Sequence, residues 1–197
     1  MGTPGIPKPV RFFTSVISRD EERIRRVREE LPDLLGDIEE MTAPVPFLHT
    51  HYYDREMGEG LLRCFLLFKP LAGRERLGLI KLRTNEIESR LSVDGRRAVN
   101  IDPGYISLEQ VVLATTKGFT HRLYLGDGIF GDLTLIFSDG TFRPLPWTYP
   151  DYGGNELISL FNAWRNSYRA LLRHGTGGGA GPDKAQTDRK VTACRKV

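Results

Sequence analysis

Cysteine is nearly absent from this chain, with two in 197 residues. Cys64 sits in an apolar run and Cys194 in a polar C-terminal stretch, so no disulfide framework is expected and Cys64 reads as a small buried hydrophobe. The first residues carry Gly2, Pro4, Gly5 and Pro7 where a secretory signal would carry an apolar core. No run approaches the roughly 18 consecutive apolar residues of a membrane span. Together these absences point to a reducing, cytoplasmic setting.

Histidine is also scarce, with four residues, and a metal site generally needs three or four ligands in a defined geometry. His49 and His51, two apart and followed by Asp54 and Glu56, read as polar loop residues beside Tyr52 and Tyr53. No metal is assigned and no cofactor is indicated. Charge of one sign is lacking from the part that folds. The chain has 28 basic and 25 acidic residues, and beyond Arg173 lie five basic residues (Lys184, Arg189, Lys190, Arg195, Lys196) against Asp183 and Asp188. The remainder holds 23 of each. A protein that neutralises a run of phosphates carries a basic stripe, so a nucleic-acid partner is not expected.

What is present is ordinary globular composition, 40% hydrophobic and 10% aromatic. Residues 11–17 read as a strand, followed by Ser18, Arg19, Asp20 and Glu21, a capping box that opens a helix on Ile24, Val27 and Leu31 and closes at Pro32 and Gly36. A second strand is expected over 37–43 and a long irregular loop over 44–60. Residues 61–68 are too uniformly apolar for a half-exposed strand and are expected at the centre of a sheet. Leu77, Ile80, Thr84, Ile87 and Leu91 line one face of a helix over 73–91. A strand over 97–102 is expected to break at Pro103-Gly104, and Ser107 with Gln110 forms a second capping box, opening a short helix through Val111, Val112 and Leu113. Strands over 119–125 and 132–137 follow, then an Asp139-Gly140 hairpin and a closing amphipathic helix over 156–172.

This order predicts a single α+β domain over 10–173, between a disordered N-terminus (1–9) and a disordered basic tail (174–197). Its fold class is an antiparallel or mixed sheet with helices on one face, ferredoxin-like in the first half, plus a C-terminal β-meander and helix.

Gly126, Gly128 and Gly131 spell G-x-G-x-x-G, but a dinucleotide fingerprint needs a helix after the glycines and here a strand follows, so a β-hairpin turn is expected. Lys81, Asn85 and Glu88 fall on one stripe along the edge of a helix's buried face, where polar residues line a cleft. Asn100 and Asp102 stand at a strand end, and Lys117 follows Thr115 and Thr116 in a loop. His121 is expected on an apolar strand face with Phe119, Leu123 and Leu125, and Arg122 on the opposite face.

The phrases Lys81-Leu82-Arg83-Thr84-Asn85-Glu86, Asn100-Ile101-Asp102-Pro103-Gly104-Tyr105, Ala114-Thr115-Thr116-Lys117, His121-Arg122, Tyr124-Leu125-Gly126-Asp127-Gly128 and Pro146-Trp147-Thr148-Tyr149-Pro150-Asp151-Tyr152 together resemble a prokaryotic family, the domain of unknown function 4416, often labelled GTP-binding. The resemblance runs over about 10–173. It implies a guanine nucleotide. The residues themselves hold no G-x-x-x-x-G-K-[ST] run, and Phe119 follows Thr116-Lys117-Gly118 where a guanine-reading motif places an aspartate.

The sequence therefore predicts binding, with or without turnover, of a small phosphorylated metabolite or nucleotide. Lys81 and Lys117 would hold the anion, Asn85 and Asn100 would orient it, and Asp102 or His121 would act as acid or base. The alternative is a non-catalytic interaction module that presents Trp147, Tyr149 and Tyr152 of the 146–152 segment to a protein partner.

Overall fold

The computed structural model describes residues 2–48 and 54–175. The His49 and His51 pair and the tail from 176 onward lie outside these residues. In chain order the elements are β1 (Val10–Ser18), α1 (Glu21–Leu35), β2 (Ile38–Met41), β3 (Val45–Pro46), the single turn α2 (Asp54–Met57), β4 (Leu62–Ala72), α3 (Leu77–Arg90), β5 (Asn100–Ile106), β6 (Gln110–Thr115), β7 (Arg122–Gly126), β8 (Ile129–Ser138), β9 (Thr141–Pro144) and α4 (Asn155–Gly175).

The nine strands form one sheet in the order β2-β4-β1-β5-β6-β8-β7, with β3 beside β4 and β9 beside β8. Every pairing is antiparallel. The first half is ferredoxin-like as expected, because β1-α1-β2 and β4-α3-β5 interleave with the two long strands β1 and β4 at the centre. The second half extends the same sheet as a meander.

Both faces of the centre are covered, which is why β1 is buried along all nine residues. Alternation splits its side chains. Val10, Phe12 and Val16 join Leu66, Phe68 and Ile101 under α1 and α3, where Ile24, Val27, Leu31 and Ile80 pack. Phe13 joins Phe65, Leu67, Leu113 and Phe142 on the opposite face, under Phe161 and Trp164 of α4. The two helices of the ferredoxin-like half thus share one face, and the closing helix occupies the other.

Several local expectations are corrected. Asp20, not Ser18, caps α1, its carboxylate accepting from the Glu22 amide at 2.9 Å. The Ser18 hydroxyl donates instead to the Ala98 carbonyl at 2.9 Å. Pro32 lies inside α1, which runs on to Leu35. The expected short helix at 110–113 is strand β6. The Ser107 hydroxyl does accept from the Glu109 and Gln110 amides, both at 3.1 Å, as a helix cap would. The Ser107 amide, however, donates to the Gln110 carbonyl at 2.9 Å, which closes a hairpin between β5 and β6. A turn and a cap share this local signature, and the run from Val111 to Ala114, buried on both faces, decides for the strand.

β5 also continues through Pro103 and Gly104 instead of breaking there. Gly104 is needed because a Cβ would stand 2.7 Å from both the Phe13 ring and the Val112 carbonyl oxygen. Pro103 shapes the sheet differently. The β5–β6 ladder pairs Ile106 with Val111, Tyr105 with Val112 and Gly104 with Leu113, and then stops. The Ile101 amide and carbonyl are bonded by α3 side chains, so they point away from β1, and by alternation so does the nitrogen of Pro103. That nitrogen has no hydrogen to offer β6. Beyond it the strands part, and β6 continues against β8 alone.

Candidate functional site

The parting of β5 and β6 opens a wedge-shaped cleft of about 790 Å³. One lip is β5 with the segment before it, bearing Arg97, Asn100 and Asp102; the other is the end of β6 and its loop, bearing Thr115, Thr116 and Lys117. Lys81, Asn85 and Glu88 of α3 form one wall. On the opposite side stand Arg63 of β4 and the segment from Tyr149 to Tyr152. Five of the six residues nominated from sequence, Lys81, Asn85, Asn100, Asp102 and Lys117, line this one space. His121 does not line it.

The α3 side chains take the place of the missing strand partner. Lys81 Nζ donates to the Ile101 carbonyl at 2.8 Å, and Glu88 Oε1 accepts from the Ile101 amide at 2.7 Å. Lys81 also lies 3.3 Å from Asp102 Oδ1 and 3.8 Å from Glu88 Oε1. Its ammonium is therefore buried within a network, not offered to the cleft as a solvated cation. Burial pushes the Glu88 carboxyl above its ordinary range, opposed by Lys81 and by the Ile101 amide. Asn100 bridges two charged neighbours: its oxygen accepts from Arg97 Nη1 at 2.8 Å and its nitrogen donates to Asp102 Oδ2 at 2.6 Å.

On the opposite side Arg63 is buried among Phe47, Phe65 and Tyr152 and paired with Asp151. Burial raises the Tyr152 phenol far above its ordinary value. At the β6 lip, Arg122 makes three bonds, from Nε to Asp132 Oδ2 at 2.8 Å, from Nη1 to the Lys117 carbonyl at 2.9 Å and from Nη2 to the Tyr149 hydroxyl at 3.1 Å. One guanidinium thus ties the Lys117 loop to the segment that carries Tyr149.

His121 and Arg122 were expected on opposite strand faces, yet both reach Asp132 Oδ2, His121 at 3.2 Å. The reason is local: β7 begins at Arg122, and His121 belongs to the preceding turn, where strand alternation does not apply. The His121 ring stacks on Trp147 with centroids 4.9 Å apart. Phe119, Leu123 and Leu125, expected on an inward face, are exposed. The glycine-rich run is a hairpin turn, with positive φ at Gly126, Asp127 and Gly128. Arg63, Arg122, Asp132 and Asp151 were not singled out from sequence. The available signal was a lone charge within an apolar strand, as with Arg63 in β4 and Asp132 in β8.

A family model described as Domain of unknown function (DUF4416) matches residues 8–168. The chain belongs to the DUF4416 family. The DUF4416 match contains every residue of the cleft, from Ser15 to Tyr152, and ends within α4. Comparison with curated proteins and with solved structures found no match. Among the described residues no helix is long and apolar enough to cross a membrane, and no group of three or more His, Cys, Asp and Glu side chains is arranged to hold a metal ion.

Proposed function

We propose that this DUF4416 chain binds a small phosphate-bearing metabolite in the wedge between β5 and β6. The observation that carries this reading is the convergence of Asn85, Asn100, Asp102 and Lys117, from three separate elements, on one cleft of about 790 Å³. That volume is in the range of small-ligand sites, roughly 300–1,000 Å³. Five cations and four carboxylates line it, an excess of one positive charge. Lys117 is exposed on one lip and Arg97 stands partly exposed on the other, so an anion at the mouth meets a cation from each side. The Asn85 amide is a neutral polar group of the α3 wall, suited to orienting a ligand. Lys81 and Glu88 act behind them, holding the β5 edge open.

The reading is one of binding. His121 is stacked on Trp147 and does not line the cleft, so of the two acid or base candidates only Asp102 stands among the described lining residues. The rival reading, a partner-binding segment at 146–152, has weaker support. Trp147 Nε1 donates to the Leu133 carbonyl at 2.8 Å, Tyr149 accepts from Arg122, and Tyr152 is buried, so the segment is bound to its own sheet.

Thermal melting with millimolar inorganic phosphate and ethyl phosphate tests the proposal, since a ligand that binds only the folded state raises the midpoint. Stabilisation that Lys117→Ala and Arg97→Ala each weaken is expected. No stabilisation by either anion would sink the reading.

A further inference from the structure

The charges that line the cleft differ in how far they reach solvent, and this difference restricts the ligand. Lys81, Arg63 and Arg122 have side chains 10% exposed or less, as do Glu88, Asp132 and Asp151. Each is consumed by partners inside the protein. Arg97 is paired too, with Glu56 at 3.6 Å and Glu88 at 3.7 Å, yet is 34% exposed; Asp102 is 30% exposed, and Lys117 is also exposed. Of the charges that line the cleft, a ligand therefore meets Arg97, Lys117 and Asp102, with Glu56 beside Arg97.

Their order along the wedge follows from the register. Continued past the Gly104–Leu113 pair, the β5–β6 alignment sets Asp102 opposite Thr115 and Asn100 opposite Lys117. Arg97, bonded to Asn100, lies at the same level as Lys117 or further out. The two cations thus guard the mouth, and the carboxylate stands two residues deeper, about 7 Å along a strand. Asp102 is also preset. Lys81 approaches Oδ1 at 3.3 Å and Asn100 approaches Oδ2 at 2.6 Å, which fixes the plane of the carboxylate. An ionised carboxylate has about four acceptor positions, so about two remain, and its exposed surface faces the cleft.

Resting on the phosphate-binding reading above, we infer that the ligand carries a hydrogen-bond donor, hydroxyl or ammonium, a few bonds from its phosphate, and that Asp102 accepts from it. Asp102 is then the specificity-determining residue of the site. A ligand with anionic oxygens at both ends is disfavoured, because its inner end would meet Asp102 as a like charge. A phosphate ester with no donor leaves the carboxylate without the partner it is placed to receive.

Titration calorimetry of the full chain with three matched esters tests this: ethyl phosphate, glycerol 3-phosphate and phosphoethanolamine. A hydrogen bond to a charged group corresponds to about tenfold or more in affinity. At least one donor-bearing ester is expected to exceed ethyl phosphate by that factor, and the better of the two distinguishes hydroxyl from ammonium. Asp102→Asn is expected to bring the ratio toward unity. Equal affinity of the wild-type chain for all three esters overturns the inference and leaves the phosphate reading standing, as does a preference that survives in Asp102→Asn. If none of the esters and no inorganic phosphate binds, the phosphate reading itself fails and the inference with it. Should Asp102→Asn not fold, the wild-type comparison decides alone.

Discussion

The Lys81 ammonium donates to the carbonyl of Ile101 at 2.8 Å, a side chain of α3 completing the hydrogen bonding of a strand that has lost its neighbour. With Glu88 on the Ile101 amide, it replaces the rung that β6 would have supplied. This substitution lets a buried sheet tolerate an open wedge, because an unpaired backbone group buried in protein costs about as much as a lost hydrogen bond.

Lys81→Met retains most of the aliphatic stem and removes the charge. It leaves the Glu88 and Asp102 carboxylates without their shared cation and the Ile101 carbonyl without a donor. Breaking one side of a buried ion pair costs about 3–5 kcal/mol. Urea denaturation is expected to show a loss in that range. A change within about 0.5 kcal/mol, as for a surface substitution, would mean that the network does not support β5.

Glu88 makes the stability pH-dependent with a definite sign. Its carboxyl titrates above the ordinary 4.5 in the folded protein because burial disfavours the charged form. The folded state therefore holds this proton more tightly than the unfolded state, and its contribution is most favourable below pH 4.5 and declines as pH rises through the folded value. Glu88→Gln stays neutral throughout. The stability of Glu88→Gln relative to wild type is expected to increase as pH climbs from 4.5; a difference that is flat, or that runs the other way, contradicts the assignment.

Gly104→Ala tests the close crossing of β5 over Phe13. The new Cβ would lie 2.7 Å from a backbone oxygen and 2.7 Å from a ring carbon, so either the strand or the ring must shift. Overpacking of this kind costs about 1–3 kcal/mol. The expected result is a lowered melting temperature with the fold retained; an unchanged one would show that the β5–β6 hairpin yields freely.

Lys117→Ala separates binding from folding. The loop is held by backbone bonds, with the Lys117 amide on Thr115 Oγ1 at 3.2 Å and the Lys117 carbonyl on Arg122, and these survive truncation of the side chain. Stability is expected to change by less than about 0.5 kcal/mol, and affinity for ethyl phosphate to fall about tenfold. A sharp fall in melting temperature with unchanged affinity per folded molecule would identify Lys117 as a structural clamp.

Local patterning was sufficient for much of this architecture. The period of Leu77, Ile80, Thr84 and Ile87 places α3, and the apolarity of 61–68, interrupted only by Arg63, places β4 at the centre, because these signals depend on neighbours a few residues apart. The same holds for Asp139-Gly140, where both residues take positive φ as a tight hairpin requires. Five polar residues that line the cleft, Lys81, Asn85, Asn100, Asp102 and Lys117, were also readable, from their places along a helix edge, near a strand end or in a loop.

Tertiary structure decided the rest. Whether Ser107 caps a helix or closes a hairpin depends on partners of β6 that lie beyond its own segment, Tyr105 on one side and Leu133 on the other. Pro103 reads locally as a strand breaker, yet β1 carries the strand past it, and its missing hydrogen acts on the opposite edge. Burial likewise turned Lys81 from a solvated cation into a backbone donor, and drew His121 and Arg122 onto Asp132, ten or more residues away along the chain. The sequence by itself determines which residues are polar, apolar or unable to donate. Only the packed sheet determines which edge of a strand each one faces, and a charge is a ligand contact or a structural bond according to that edge.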